Sequence, residues 1–86
     1  MSKLSVDSVE STRFYEPVVS GKEVIKALSK IGYEFDHQRG SHIVLRQMKA
    51  PFRRITVPNH DEIARGTLRS IIREAGLTLE EFSSLL

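Results

Sequence analysis

The chain has 86 residues, enough for one domain with a modest core, and 40% of them are apolar. It contains no cysteine, which excludes disulfides and thiolate metal sites, and no apolar run long enough for a signal peptide or a membrane span, so a cytoplasmic location is expected. The net charge is +2, but residues 39–73 contain eight basic and two acidic side chains, which is +6. Such a concentration is typical of a phosphate-binding surface, and a basic face that meets only solvent is equally compatible with it.

Residues 1–19 have neither helical nor strand periodicity and are predicted to form a flexible N-terminal arm, which leaves residues 20–86 as the folded domain. Ser20 and Glu23 have the spacing of a capping box, which predicts a helix start. Gly32 is expected to end this helix. Apolar residues recur through it at helical spacing, at Val24, Ile25, Leu28 and Ile31.

Three strands are predicted next. Residues 33–38 alternate in polarity and residues 43–45 are β-branched and apolar, with Arg39-Gly40-Ser41 as a turn between them, so residues 33–46 are predicted to form a β-hairpin. Residues 47–52 are predicted to be a loop. Residues 54–57 are rich in β-branched side chains and predict a third strand, which Pro58 should close because proline has no N–H for a ladder.

Two helices are predicted to follow. Thr67 is a candidate N-cap for the first, and Gly76 is expected to end it. Thr78 and Glu81 have the spacing of a second capping box, which predicts a short helix over residues 79–85. The order α-β-β-β-α-α indicates an α+β fold in which helices cover one face of a three-stranded antiparallel sheet. The apolar stripe of the first of these helices is Leu68, Ile71, Ile72 and Ala75.

The three histidines are the main candidates for chemistry. His42 follows the Gly-Ser pair of the turn, where a phosphodiester could approach closely, and an imidazole, titrating near ~6.5, can accept a proton from a ribose 2′-OH. Local context alone favours an exposed turn histidine with no chemical role. His60 is a candidate second acid–base group or, more simply, a solvated loop residue, and His37 is interpreted as structural or at the rim. The spacing of the three is not that of a zinc site, although a three-histidine site is geometrically conceivable.

Arginines near the turn and on the second helix are candidate phosphate ligands, because a guanidinium binds phosphate in a bidentate manner and stays charged. The same side chains could instead serve only to protect exposed strand edges from aggregation. The predicted RNA-binding set is Arg39, Gly40, Ser41, Arg46, Arg53, Arg54, Arg69 and Arg73.

Four segments occur in a set order: Ser20-Gly21-Lys22-Glu23, Arg39-Gly40-Ser41-His42, Ile55-Thr56-Val57-Pro58-Asn59-His60, and Gly66-Thr67-Leu68-Arg69-Ser70-Ile71-Ile72-Arg73-Glu74-Ala75-Gly76-Leu77. Together they resemble the HicA family over about residues 20–83. The resemblance implies a fold similar to double-stranded-RNA-binding domains, an mRNA-cleaving toxin with His42 as its catalytic histidine, no metal or cofactor, and a HicB-type antitoxin as partner. Many members have a second histidine directly after the catalytic one, and this chain has Ile43 there.

The leading hypothesis from the sequence is therefore a toxin that cleaves mRNA as a metal-independent endoribonuclease. Double-stranded-RNA-binding folds also recognise RNA without chemistry, so a non-catalytic RNA-binding module is the alternative. A third hypothesis is a protein-interaction domain whose basic face meets only an acidic partner. Strand scission separates the first hypothesis from the other two, and salt-sensitive RNA binding separates the second from the third.

Overall fold

A computed structural model describes residues 17–86 of the chain, and residues 1–16 of the predicted arm lie outside it. The described residues form one antiparallel sheet with strand order β1-β2-β3, and the predicted α+β class and the α-β-β-β-α-α order are confirmed. The longest helix of residues 17–86 has ten residues, too few to span a bilayer. The elements are α1 (Gly21–Ser29), β1 (Tyr33–Arg39), β2 (His42–Gln47), β3 (Arg54–Pro58), α2 (Arg65–Glu74) and α3 (Leu79–Ser84).

Helix α1 begins with the predicted capping box. The backbone N–H of Glu23 donates to Ser20 Oγ at 3.1 Å, and the N–H of Ser20 donates to Glu23 Oε1 at 2.8 Å. The helix ends at Ser29, two residues before Ile31, so the prediction that the helix extends through Ile31 to Gly32 is wrong. Ile31 is exposed because the chain turns there, and Gly32, at a φ of +100°, completes the turn into β1.

Both helices that pack on the sheet lie on the same face of it. Helix α1 contacts β1 and β3, and α2 contacts β3. Residues that pair directly across antiparallel strands share a face, and the covered face consists of alternate apolar residues. The buried residues contributed by the strands are Tyr33, Ile43, Leu45, Ile55 and Val57.

Helix α2 begins at Arg65, three residues earlier than an N-cap at Thr67 would place its start. The N-cap is Ala64, which makes no side-chain capping bond, so the prediction of Thr67 as N-cap is wrong. The physical reason is that Ala64 has non-helical backbone angles and its carbonyl already accepts from the N–H of Leu68 at 2.9 Å, which places Thr67 inside the first turn. The predicted stop is confirmed, since Gly76 follows the C-cap at a φ of +75°.

The start of α1 is fixed against the segment that leaves β3. Gly21 is buried, and its N–H donates to the carbonyl oxygen of His60 at 2.8 Å. A Cβ at this position would collide with the carbonyl oxygen of Pro58, which is backbone and cannot rotate away. Only glycine therefore lets the helix approach the strand exit this closely.

We expect Gly21→Ala to lower the free energy of unfolding by about 1–3 kcal/mol, the usual effect of overpacking. The matched control is Gly66→Ala in α2, where a Cβ would meet no atom within 4 Å. Alanine there should raise the free energy of unfolding by about 0.4–1 kcal/mol, because it restricts the unfolded chain. Urea unfolding of both variants tests the pair, and a Gly21→Ala variant as stable as the wild type would contradict the packing described.

Candidate functional site

The turn before His42 is a two-residue hairpin loop, closed by the pairing of Arg39 with His42. Gly40 has a φ of +57°, so glycine suits the first position of the loop. The loop is held from both sides, because Gln38 Nε2 donates to the Gly40 carbonyl at 2.9 Å and the N–H of Asn59 donates to the Ser41 carbonyl at 2.6 Å. The position of His42 is therefore set by the sheet and by the segment after β3.

The face of the sheet away from α1 and α2 is polar and is covered by no described element; we call it the open face. Cross-strand pairing arranges it in three rows. The side chains in these rows are exposed, except that Val44 and Pro58 are half-buried. The rows are Arg39–His42–Pro58, His37–Val44–Thr56 and Glu34–Arg46–Arg54.

A carboxylate lies among the basic groups of the open face. Asp36 Oδ2 is 2.9 Å from His37 Nδ1 and 3.5 Å from Arg54 Nε. The hydrogen bond from His37, with the nearby charge of Arg54, holds the pKa of Asp36 below its usual range. Because an ionised carboxylate only accepts hydrogen bonds, the proton in the contact belongs to His37 Nδ1, and Nε2 is the nitrogen left for other partners.

Three of the predicted arginines lie with His42 on the open face: Arg39 in the same row, and Arg46 and Arg54 two rows along. At a strand rise of ~3.3 Å per residue, Arg46 is about 13 Å along β2 from His42. One imidazole and three guanidinium groups on an accessible sheet can hold a phosphodiester chain and exchange protons with it. The turn residues Gly40 and Ser41 lie between Arg39 and His42 in the chain, and both are exposed.

The other three predicted arginines lie elsewhere. Arg53 Nη1 donates to the carbonyl oxygen of Glu74 at 3.2 Å, so its guanidinium binds the end of α2 on the covered side of the sheet. Arg69 and Arg73 are on α2, where they line a cavity of about 360 Å³ together with apolar side chains. The structure therefore divides the predicted set into an open-face group with His42 and a separate group on the helical side.

The interpretation of His37 as a structural or rim residue missed its position on the open face. In a regular strand His37 would share a face with Tyr33 and Phe35, which point to the helical side. A β-bulge between Phe35 and His37 shifts the register, so that His37 pairs with Val44 and lies in the row next to His42. A bulge adds one residue to one strand, and no feature of this short segment signals it in the sequence.

The three histidines do not form one cluster. His60 follows β3, outside the rows of the open face, and its carbonyl accepts from the first residue of α1. Within residues 17–86 no group of three or more His, Cys, Asp or Glu side chains is arranged to hold a metal ion. The three-histidine arrangement that the sequence left conceivable is thus absent from the described part of the chain.

A known family model matches most of the described domain. The family model described as "HicA toxin of bacterial toxin-antitoxin" matches residues 21–77, well over half of the chain. The match runs from the start of α1 to just beyond α2 and includes the turn at His42 and all three strands. No curated protein matches the chain.

Proposed function

The chain belongs to the HicA toxin family of bacterial toxin–antitoxin systems, and from that premise we propose that it is an endoribonuclease that cleaves mRNA with His42 as its catalytic residue. The observation that supports this best is the open face, where an exposed imidazole shares a sheet surface with Arg39, Arg46 and Arg54. A toxin that cleaves mRNA acts in the cytoplasm, where its substrate is.

The proposed chemistry uses only groups that the protein itself supplies. His42 acts as general base toward a ribose 2′-OH, or as general acid toward the leaving oxygen. The arginines of the open face bind the phosphate and stabilise the negative charge that grows on it in the transition state. Imidazole and guanidinium groups can supply proton transfer and charge stabilisation without a metal ion or an organic cofactor.

The proposed protein partner is a HicB-type antitoxin that covers the open face and thereby blocks access to His42. The concentration of basic side chains between residues 39 and 73 would favour an acidic surface on that partner. The cavity at Arg69 and Arg73 is apolar as well as basic, since Ile72, Leu77 and Leu79 also line it. It offers a second contact area for the same antitoxin on the helical side.

The test is to incubate the purified protein with RNA in EDTA and to analyse both the fragments and their ends. We expect cleavage that EDTA does not prevent, with a 2′,3′-cyclic phosphate on one side of each cut and a 5′-OH on the other. Co-purified HicB-type antitoxin should suppress it. Salt-sensitive RNA binding without any scission would contradict the proposal and favour the RNA-binding module instead.

A further inference from the structure

Cleavage of RNA by its own 2′-OH requires two proton transfers. A base removes the proton from the 2′-oxygen, and an acid protonates the 5′-oxygen as it leaves. One imidazole cannot be neutral and protonated in the same step, so His42 alone can perform only one of the two proton transfers. The open face contains a second imidazole that the proposed function has not used.

His37 lies diagonally across the β1–β2 pair from His42. Their rows are adjacent, since His37 pairs with Val44 and His42 pairs with Arg39. Diagonal neighbours on one face of an antiparallel pair are typically about 7–8 Å apart, within reach of long or ring side chains. A phosphodiester placed between the two rings can present its attacking oxygen to one and its leaving oxygen to the other. The side chain of His37 is 49% exposed and therefore open to such a ligand.

The contact with Asp36 gives His37 a different character from His42. The 2.9 Å hydrogen bond holds the proton on Nδ1, orients the ring and leaves Nε2 for other partners. His42 makes no such contact with a carboxylate among the described residues. A ring held in place by a carboxylate suits the acid role, because its Nε2 can be aimed at the leaving oxygen, and this leaves the base role to His42.

We propose that His37, oriented by Asp36, is the general acid of the reaction and that His42 is the general base; this inference rests on the proposed endoribonuclease function. His42 Nε2 or Nδ1 takes the proton of the 2′-OH, and the 2′-oxygen forms a bond to phosphorus. The bond from phosphorus to the 5′-oxygen breaks, and the 5′-oxygen takes the proton of His37 Nε2. The products are a 2′,3′-cyclic phosphate and a 5′-OH, and the two rings return to their starting states by exchanging protons with water.

His37 lies among charged groups of both signs. The carboxylate of Asp36 contacts its ring, and guanidinium groups lie in its own neighbourhood on the adjacent rows. The rate should be bell-shaped in pH, because it rises as the base loses its proton and falls as the acid loses its own. The titratable and charged groups that face His37 from its own strand and from β2 and β3 are Glu34, Asp36, Arg39, His42, Arg46 and Arg54.

The test uses His37→Asn, which keeps an N–H donor toward Asp36 but cannot donate a proton to the leaving oxygen. With ordinary RNA we expect a loss of about 10²–10⁴-fold in the cleavage rate and the disappearance of the alkaline limb of the pH profile. With RNA that has sulfur in place of the scissile 5′-oxygen, the leaving thiolate needs no acid, and His37→Asn should cut at close to the wild-type rate. Asp36→Asn should show a smaller loss on ordinary RNA and none on the sulfur substrate.

The matched control is His60→Asn, the same change at a histidine outside the open face, which should cut both substrates at the wild-type rate. The inference is overturned if wild-type protein cuts RNA and His37→Asn cuts it equally fast, or if His37→Asn is equally slow on both substrates. It is also overturned if His60→Asn, and not His37→Asn, shows rescue by sulfur. A wild-type protein that cuts neither substrate overturns the proposed function itself, which separates that failure from the others.

Discussion

Replacement of His42 by alanine is expected to lower the rate of RNA cleavage by about 10²–10⁴-fold, the usual contribution of a positioned acid–base group. The variant should keep the wild-type fold while it loses activity. His42 is exposed, and its place in the sheet depends on backbone pairing with Arg39 and Pro58. RNA affinity should change little, since the arginines of the open face remain. Single-turnover cleavage in EDTA, together with thermal unfolding and binding to uncleavable RNA, measures the three quantities separately.

The same variant also tests whether a contaminating nuclease, and not this protein, cleaves the RNA. A trace of a contaminating nuclease would cleave RNA equally in wild-type and His42→Ala preparations that are purified side by side. Equal cleavage by the two proteins would therefore contradict the role of His42, whatever the absolute rate. A His42→Ala protein that has lost both cleavage and RNA binding would indicate that the histidine holds RNA and does not transfer protons.

Removal of two positive charges from the open face should weaken RNA binding by about 100-fold at low salt. Arg46 and Arg54 pair directly across β2 and β3, and both are exposed. Hydrogen bonds to charged groups contribute about 1.5–3 kcal/mol each, so the loss of two such bonds at the lower value weakens binding by about 100-fold. If each arginine releases one counterion, the slope of log K against log salt should fall by about 1.4 for single-stranded RNA. Fluorescence anisotropy of labelled RNA over a salt series measures both effects for Arg46→Gln/Arg54→Gln.

The matched control is Lys22→Gln/Lys26→Gln, which removes the same charge from α1, on the covered side of the sheet. Both control positions are exposed, so neither change should affect stability. If RNA binds the open face, the control should keep its salt slope and its affinity at ~0.1 M salt within about twofold, because at that ionic strength screening beyond ~10 Å leaves little long-range attraction. Equal losses in the two double variants would indicate that RNA responds only to net charge and that the open face has no special role.

Parts of this structure follow directly from local sequence patterns. Ser20 with Glu23 and Thr78 with Glu81 form capping boxes as predicted, because each motif satisfies its own backbone donors and needs no distant partner. The hairpin at Gly40 follows for the same reason, since a two-residue glycine turn is determined by local backbone geometry. His42 could therefore be placed at the start of β2 from the sequence alone.

Other features depend on contacts between distant residues and could not be predicted in this way. The bulge at Asp36 moves His37 to the open face, and only the pairing of β1 with β2 reveals it. Arg53 and Arg54 are adjacent arginines that the sequence does not distinguish. Arg53 nevertheless points to the covered side of the sheet, where it binds the end of α2. Helix α2 begins at Arg65 without a side-chain cap, because backbone geometry at Ala64, and not a capping motif, determines its first turn.

The open face of the sheet is the surface that we propose to bind RNA. This proposal is tested most directly by NMR on the protein bound to RNA whose 2′-oxygens are methylated, so that the nucleophile is blocked and the complex persists. We expect intermolecular NOEs from the RNA to the methyl groups of Val44 and Thr56, which lie in the row between His42 and Arg46. NOEs to Leu86, which is exposed beside α1, with none to Val44 or Thr56, would show that RNA binds elsewhere and would contradict this proposal.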